Sequence, residues 1–295
     1  MTTRHEVGRR GTGAGSGRLV TSLLLLPTAL WYLLLLLAPL VILVIFSLGT
    51  RTDVGGYAPG LTLDNSGRLP SRWAAFQTTL VLAVVGTALC ALVAYPLAYY
   101  LATRAGPKRT LLLVLVVMPF WTSFLVRTFA WLQILGSNGL PAMLAALGMD
   151  PKPSFLNTQA AVLLGIVYNY LPLMVFPIYV SLDRLDKRLL EASKDLGANR
   201  LRTFVQVTLP LTAPGLIAGA LLVFIPMMGE YVIPAILGGG KVYFVGNALV
   251  DLFLQSRDWP LGSAASIGLI GITLVMVTIY LRVTRSKATR EVSLL

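Results

Sequence analysis

Six separate apolar runs, at approximately 19–48, 73–101, 110–133, 159–181, 210–236 and 263–282, limit what this chain can fold into. Each is near or above the roughly 20 residues that cross a bilayer core as a helix. A water-soluble domain could not hide all of them, because 56% of the residues are hydrophobic and only 12% are charged. Lipid offers backbone N–H and C=O groups no partner, so each run must close its own hydrogen bonds. The expectation is an all-α integral membrane protein with six transmembrane helices. Proline inside the runs does not count against this, since neighbouring helices can satisfy the carbonyls it frees. Pro27 and Pro39 are expected to kink the first span, and Pro226, Gly229 and Pro234 to unwind the fifth locally.

Residues 1–18 are rich in Gly, Thr and Arg without apolar periodicity, which predicts a disordered tail; 283–295 read as a second tail. Arg9-Arg10 looks like a twin-arginine export signal, yet the apolar run behind it far exceeds the roughly 7–15 residues of a signal core. No small-x-small site closes that run, so 19–48 is expected to stay as the first span. A net charge of +12 would ordinarily suggest nucleic acid. The basic residues gather at the ends of the apolar runs instead of along one face, so membrane lipid and no nucleic acid is the expected partner. Of 24 Lys and Arg, 17 lie in the first tail, the 102–109 turn, the 182–209 loop and the last tail. The alternate loops hold 6, and Arg127 lies inside a span. The positive-inside rule then places both termini and the 182–209 loop in the cytoplasm of a multi-pass membrane protein. His5 is the single histidine and Cys90 the single cysteine, which leaves no material for a His-based metal site, a disulfide or a His-based catalytic dyad.

The 182–209 loop carries a pattern of its own. Asp186 can accept from the free N–H groups at the start of a short helix, Glu191 and Asp195 share a face at i and i+4, and Gly197 can end the helix in a left-handed turn. A second short amphipathic piece follows, with Leu201, Phe204 and Val205 on its apolar side. Leu209-Pro210 then opens the next span with Pro in the tolerated first turn. Two short helices at a membrane surface make a docking feature. The alternative, an amphipathic loop lying on lipid headgroups, requires no fixed spacing.

The spacing resembles a known one. Glu191-Ala192-Ser193, three residues, Gly197, nine residues and Val207-Thr208-Leu209-Pro210 match, without a gap, the EAA loop of ABC-importer permeases. Ser193 stands where that family usually has Ala, and Val207 where it often has Ile. From about Trp73 to Tyr280 the chain resembles the permease core of type I ABC importers, with the first span as an N-terminal addition. The resemblance implies the type I permease fold over 73–282, with a cytoplasmic coupling helix between spans 4 and 5 that sits in a groove on an ATPase. It makes Glu191, Ala192, Ser193, Asp195, Gly197, Leu209 and Pro210 the ATPase-coupling residues, with Gly197 ending the helix where a side chain would collide. A transport subunit follows from it, not an enzyme, working with two ATP-binding subunits, a second permease and an extracytoplasmic solute-binding protein. No cofactor is expected in this chain, because ATP and magnesium go with the ATPase. Gly238-Gly239-Gly240-Lys241 superficially resembles a nucleotide loop, but Ala235 replaces its first glycine and Val242 its magnesium-binding hydroxyl.

Three further stretches resemble the spermidine/putrescine branch of these permeases: Pro119 to Arg127, Gly229 to Pro234 with Leu237-Gly238-Gly239, and Arg257 to Gly262. A polyamine is a chain of ammonium groups separated by methylenes, so its path calls for carboxylates and aromatic faces. Candidate path or outer-gate residues are Glu230, Tyr231, Trp121, Arg127 and Asp251. Glu230 is ionisable inside a membrane run, which is a functional hypothesis by default. Two roles stay open for it: lining the path, or serving at the outer interface to receive the binding protein or pair with Arg127. Arg127 would repel a cationic solute, so it is expected to be a structural partner of Glu230 or Asp251. Trp121, Trp131 and Tyr170 are expected as packing or interface aromatics. Permeases for opines, phosphonates or ferric iron share parts of these stretches and define the alternative solutes. An ion-driven secondary transporter would be expected to carry several buried acids or an inverted repeat, and the sequence offers neither.

Overall fold

The computed structural model describes residues 14–148 and 154–292, with side-chain environments for 24–148 and 154–282. Its helices are α1 (Ala14–Ser47), α2 (Asp64–Arg68), α3 (Trp73–Thr103), α4 (Arg109–Val117), α5 (Phe124–Leu135), α6 (Leu140–Ala146), α7 (Gln159–Asp183), α8 (Lys187–Asp195), α9 (Arg200–Thr203), α10 (Leu209–Met228), α11 (Val232–Leu237), α12 (Val245–Val250) and α13 (Trp259–Val292). Among the described residues one antiparallel bridge, Thr50 with Ala58, is the only strand-like pairing.

Among the described residues five helices are long and apolar enough to cross a membrane, and the bent pair around α4 and α5 makes six crossings when taken as one span. The all-α architecture agrees with the sequence reading, but the 110–133 run is not one continuous helix. After α4 the chain tightens into a 3₁₀ turn, Met118–Trp121, and then extends at Thr122 (ψ 149°) and Ser123 (ψ 137°) before α5. The two halves meet at 90°. Pro119 has no N–H and crowds the carbonyl four residues earlier, which favours the tighter turn. Thr122 closes the step by donating its N–H (3.2 Å) and its hydroxyl (2.7 Å) to the Pro119 carbonyl. At the first tail α1 begins at Ala14, so residues 14–18, expected to be disordered, are helical; the rest of that expectation, 1–13, lies outside the described residues. At the other end α13 continues to Val292, past the expected span end at 282.

The centre is α7, which packs against α3 and α10. Val162, Ile166, Met174, Val175 and Ile178 are fully buried on it, facing Leu82, Ala83 and Cys90 of α3 and Val223 and Met227 of α10. α10 approaches α7 closely at Gly215, where a Cβ would strike the Ser181 side chain and the Pro177 carbonyl. Small residues at such crossings let the backbones meet without a hydrophobic driving force from water.

The polar 49–72 loop is fastened to the start of α13. Buried Asn65 donates to the carbonyls of Ser47 and Gly49, at 2.8 Å each. Asp258 is buried too, accepting from the Leu261 N–H at 3.2 Å and pairing with Arg68 at 3.0 Å. Trp259 stacks on Phe46 (6.0 Å between centroids), and Phe46 on Tyr57 (4.5 Å). The Arg257–Gly262 stretch thus acts as a clasp between loop and helix.

Candidate functional site

The loop between α7 and α10 is built from two capped helices. Asp186 accepts from the Arg188 N–H at 2.9 Å and starts α8. At its far end Gly197 takes φ +81°, while Gly197 N–H reaches the Lys194 carbonyl (2.8 Å) and Ala198 N–H reaches that of Ser193 (3.1 Å). This double closure is a Schellman motif, in which the left-handed residue is normally glycine. A Cβ at Gly197 would meet nothing within 4 Å in this chain, so glycine is required here by backbone conformation and not by a collision within the chain. Asn199 then caps α9 by accepting from the Arg202 N–H at 2.8 Å. The Ser193 and Thr203 hydroxyls lie 3.0 Å apart and hold α8 to α9. α9 runs through a π turn, Phe204–Thr208, directly into α10, with Leu209 and Pro210 half-buried in its first turn.

Glu191, Ala192 and Asp195 are exposed on α8, and neither carboxylate has an ion-pair partner among the described residues. Beside them Leu196 is 89% and Leu201 71% exposed. The expected apolar side of the second piece is divided. Phe204 turns inward, edge-on to Tyr95 (5.5 Å) and Tyr99 (6.3 Å), while Leu201 and Val205 stay outside. The loop therefore presents free carboxylates, basic side chains and uncovered leucines on one compact, capped feature. At the same end of the bundle Arg109 pairs with Asp183 at 2.7 Å, joining α4 to α7.

The candidate path residues fall on a second feature, the break between α10 and α11. Glu230 is 7% exposed, and its Oε1 accepts from the N–H groups of Tyr231 (3.0 Å), Val232 (2.8 Å) and Ile233 (3.3 Å). Its Oε2 accepts from the Tyr170 hydroxyl at 2.6 Å. The carboxylate thus replaces the intrahelical bonds that the break removes. Asn247 of α12 closes over the same place, donating to the Tyr231 carbonyl at 3.0 Å. Tyr231 itself is half exposed and Trp121 is 77% exposed at the end of its 3₁₀ turn. Asp251 accepts from the Tyr243 hydroxyl, and burial together with that carboxylate pushes the Tyr243 phenol up to about 12.

The expected pairing of Arg127 with Glu230 or Asp251 is not formed. Arg127 is 8% exposed, and its Nε and one terminal nitrogen are buried without a hydrogen-bond partner among the described residues. The guanidinium lies over the rings of Phe120 (5.0 Å) and Phe124 (6.0 Å), on the wall of a cavity of about 420 Å³ shared with Trp131 and Tyr168. Arg127 stands in the first turn of α5, just past the 90° step from α4, and Pro119 is the one signal in the sequence for that step. Tyr170, expected as a packing aromatic, is the group that meets Glu230. Because a buried cation without a counter-charge costs more than its ring contacts return, Arg127→Met is expected to stabilise the isolated permease by about 1 kcal/mol. Thermal unfolding in detergent checks this, and a lower midpoint would show that the ring contacts dominate.

Comparison with known proteins agrees with this architecture. Residues 11–290 match the family described as binding-protein-dependent transport system inner membrane component. The spermidine/putrescine transport system permease protein PotB of Haemophilus influenzae is 40% identical over 86% of this chain and 91% of its own length. PotB of Escherichia coli K12 is 39% identical over 86% and 94%. In fold, the chain superimposes on a bacterial ABC transporter involved in the import of the polysaccharide alginate with a TM-score of 0.72, covering 92% of this chain and 96% of that one at 18% identity. With the helical order, the capped loop between α7 and α10 and the matched length in agreement, the chain belongs to the family of binding-protein-dependent transport system inner membrane components.

Proposed function

We propose that this chain is a transmembrane subunit of an ATP-driven importer for polyamines, spermidine and putrescine, and that it engages a separate ATPase through the α8–α9 loop. The observation that carries this reading is the 40% identity to a spermidine/putrescine permease over 86% of the chain, with Glu191, Gly197 and Pro210 in unbroken EAA register. In this reading the loop and both termini are cytoplasmic, as the basic residues favour. Two such permeases, this one and a homologue, enclose the path; two ATPases drive it, and an extracytoplasmic protein delivers the solute. ATP and magnesium reside in the ATPases.

The geometry supplies what coupling needs. α8 is held at both ends by caps and tied to α9, so a push on it is transmitted and not absorbed by fraying. Glu191 and Asp195 offer charge to a basic or N–H-rich groove, while Leu196 and Leu201 offer apolar area that a monomer leaves wet. At the α10–α11 break, the Glu230 charge and the exposed Tyr231 ring suit an alkylammonium solute.

Uptake of labelled spermidine and putrescine by cells lacking this chain tests the solute. Complementation with the native sequence is expected to restore both. If uptake stays at background while the protein reaches the membrane, the polyamine assignment is wrong.

A further inference from the structure

A run of buried hydroxyls connects the α8–α9 loop to α3. Thr212 of α10 is fully buried, with its hydroxyl 2.8 Å from the Thr208 carbonyl and 2.7 Å from the Tyr95 hydroxyl of α3. Thr212 has one proton; when it is given to the Thr208 carbonyl, the hydroxyl accepts from Tyr95, and both groups are satisfied. One turn nearer the loop, Thr208 and Thr203 are also buried, and the Thr203 hydroxyl reaches Ser193 of α8 at 3.0 Å. Phe204 stands between these contacts, its ring edge-on to Tyr95 and Tyr99.

The backbone linking them is the π turn, in which the Leu209 N–H reaches back to the Phe204 carbonyl. Pro210 accounts for the widening. It lacks an N–H, and its ring would crowd the carbonyl of Gln206 in an ordinary α turn, so the wider turn relieves both. A widened turn has weaker self-support than α-helix, and a displacement of α8 could be lost there by flexing. The Ser193–Thr203 contact on one side and the Tyr95–Thr212 bond on the other bracket that weak point.

We propose that Tyr95 and Thr212 are positioning residues for coupling: their buried hydrogen bond, with Phe204 set against Tyr95 and Tyr99, makes α3 follow the α8–α9 loop when the loop is displaced. This rests on the reading of the loop as the ATPase-coupling element. It goes beyond that reading by placing the transmitting contact in α3, outside the EAA stretch.

The test uses the whole transporter, reconstituted with its ATPase, second permease and binding protein, and reads solute moved per ATP hydrolysed. Tyr95→Phe removes only the hydroxyl and is expected to lower that ratio about 3- to 10-fold, the scale of one buried hydrogen bond, with ATP hydrolysis retained. Thr212→Val should do the same, Thr212→Ser should keep the native ratio, and the double variant should lose no more than either single one. A purely structural role predicts otherwise: transport and hydrolysis would fall together, in step with a lower unfolding midpoint, and that result overturns the proposal. Gly197→Asp, measured alongside, separates the two readings. If it lowers the ratio while Tyr95→Phe and Thr212→Val do not, the hydroxyl joint is wrong and the coupling loop stands. If it too leaves the ratio native, both fall.

Discussion

Glu230→Ala is expected to abolish recovery of folded permease, while Glu230→Gln is expected to fold normally. The carboxylate accepts three backbone N–H groups and the Tyr170 phenol at the break between α10 and α11. Removing it strands those donors at a buried position, where an unmade hydrogen bond carries its full desolvation cost. A single hydrogen bond to a charged group contributes about 1.5–3 kcal/mol, so the combined loss is a large part of the roughly 5–15 kcal/mol that keeps a domain folded. Glutamine preserves the arrangement, because its amide oxygen can accept the three N–H bonds and its NH₂ can donate to the Tyr170 oxygen. Thermal unfolding and size-exclusion profiles in detergent check both variants. The pair also separates shape from charge, since Glu230→Gln should fold yet carry a polycation poorly if the negative charge serves the path.

The second large effect is expected at Gly197. Its φ of +81° lies in the left-handed region, and its N–H closes the Schellman turn that ends α8. A side chain there costs at most about 1–2 kcal/mol of backbone strain, less for Asp and Asn than for other residues, which lowers the ratio of correctly to wrongly shaped loop by at most roughly 5- to 30-fold. Aspartate adds a further negative charge beside Asp195 and Glu191. Gly197→Asp should therefore reach the membrane at native levels, because Gly197 is exposed and no neighbour would be struck, yet lose most uptake. Gly197→Asn tolerates the same φ about as well as Asp but adds no charge, and should retain much more. Equal, near-native uptake by both would remove the loop from the coupling mechanism.

The sequence made the long spans and the α8–α9 loop legible, because both are local. Length and apolarity specify a span, and Asp186, Gly197 and Pro210 act on backbone groups within a few residues of themselves. The weak point of the fifth span was also readable, from Pro226 and Gly229 beside an ionisable Glu230. Contacts between distant segments were not. Glu230 and Tyr170 are 60 residues apart, and a carboxylate in a span demands a partner without naming it. For the same reason the available acids look like the partners of Arg127, because the 110–133 run reads as one helix. Its break comes from a 3₁₀ turn after Pro119 and an extended Thr122–Ser123 step that no glycine announces. The Tyr95–Thr212 bond spans 117 residues and leaves no trace in spacing.

The measurement that bears most directly on the central claim is spermidine uptake into proteoliposomes holding the complete transporter, with ATP supplied on the side of the α8–α9 loop. The expected result is uptake that requires ATP, persists when an uncoupler collapses ion gradients, and is lost with Gly197→Asp. Uptake that ignores ATP and vanishes with the uncoupler would contradict the account and mark the chain as an ion-driven carrier.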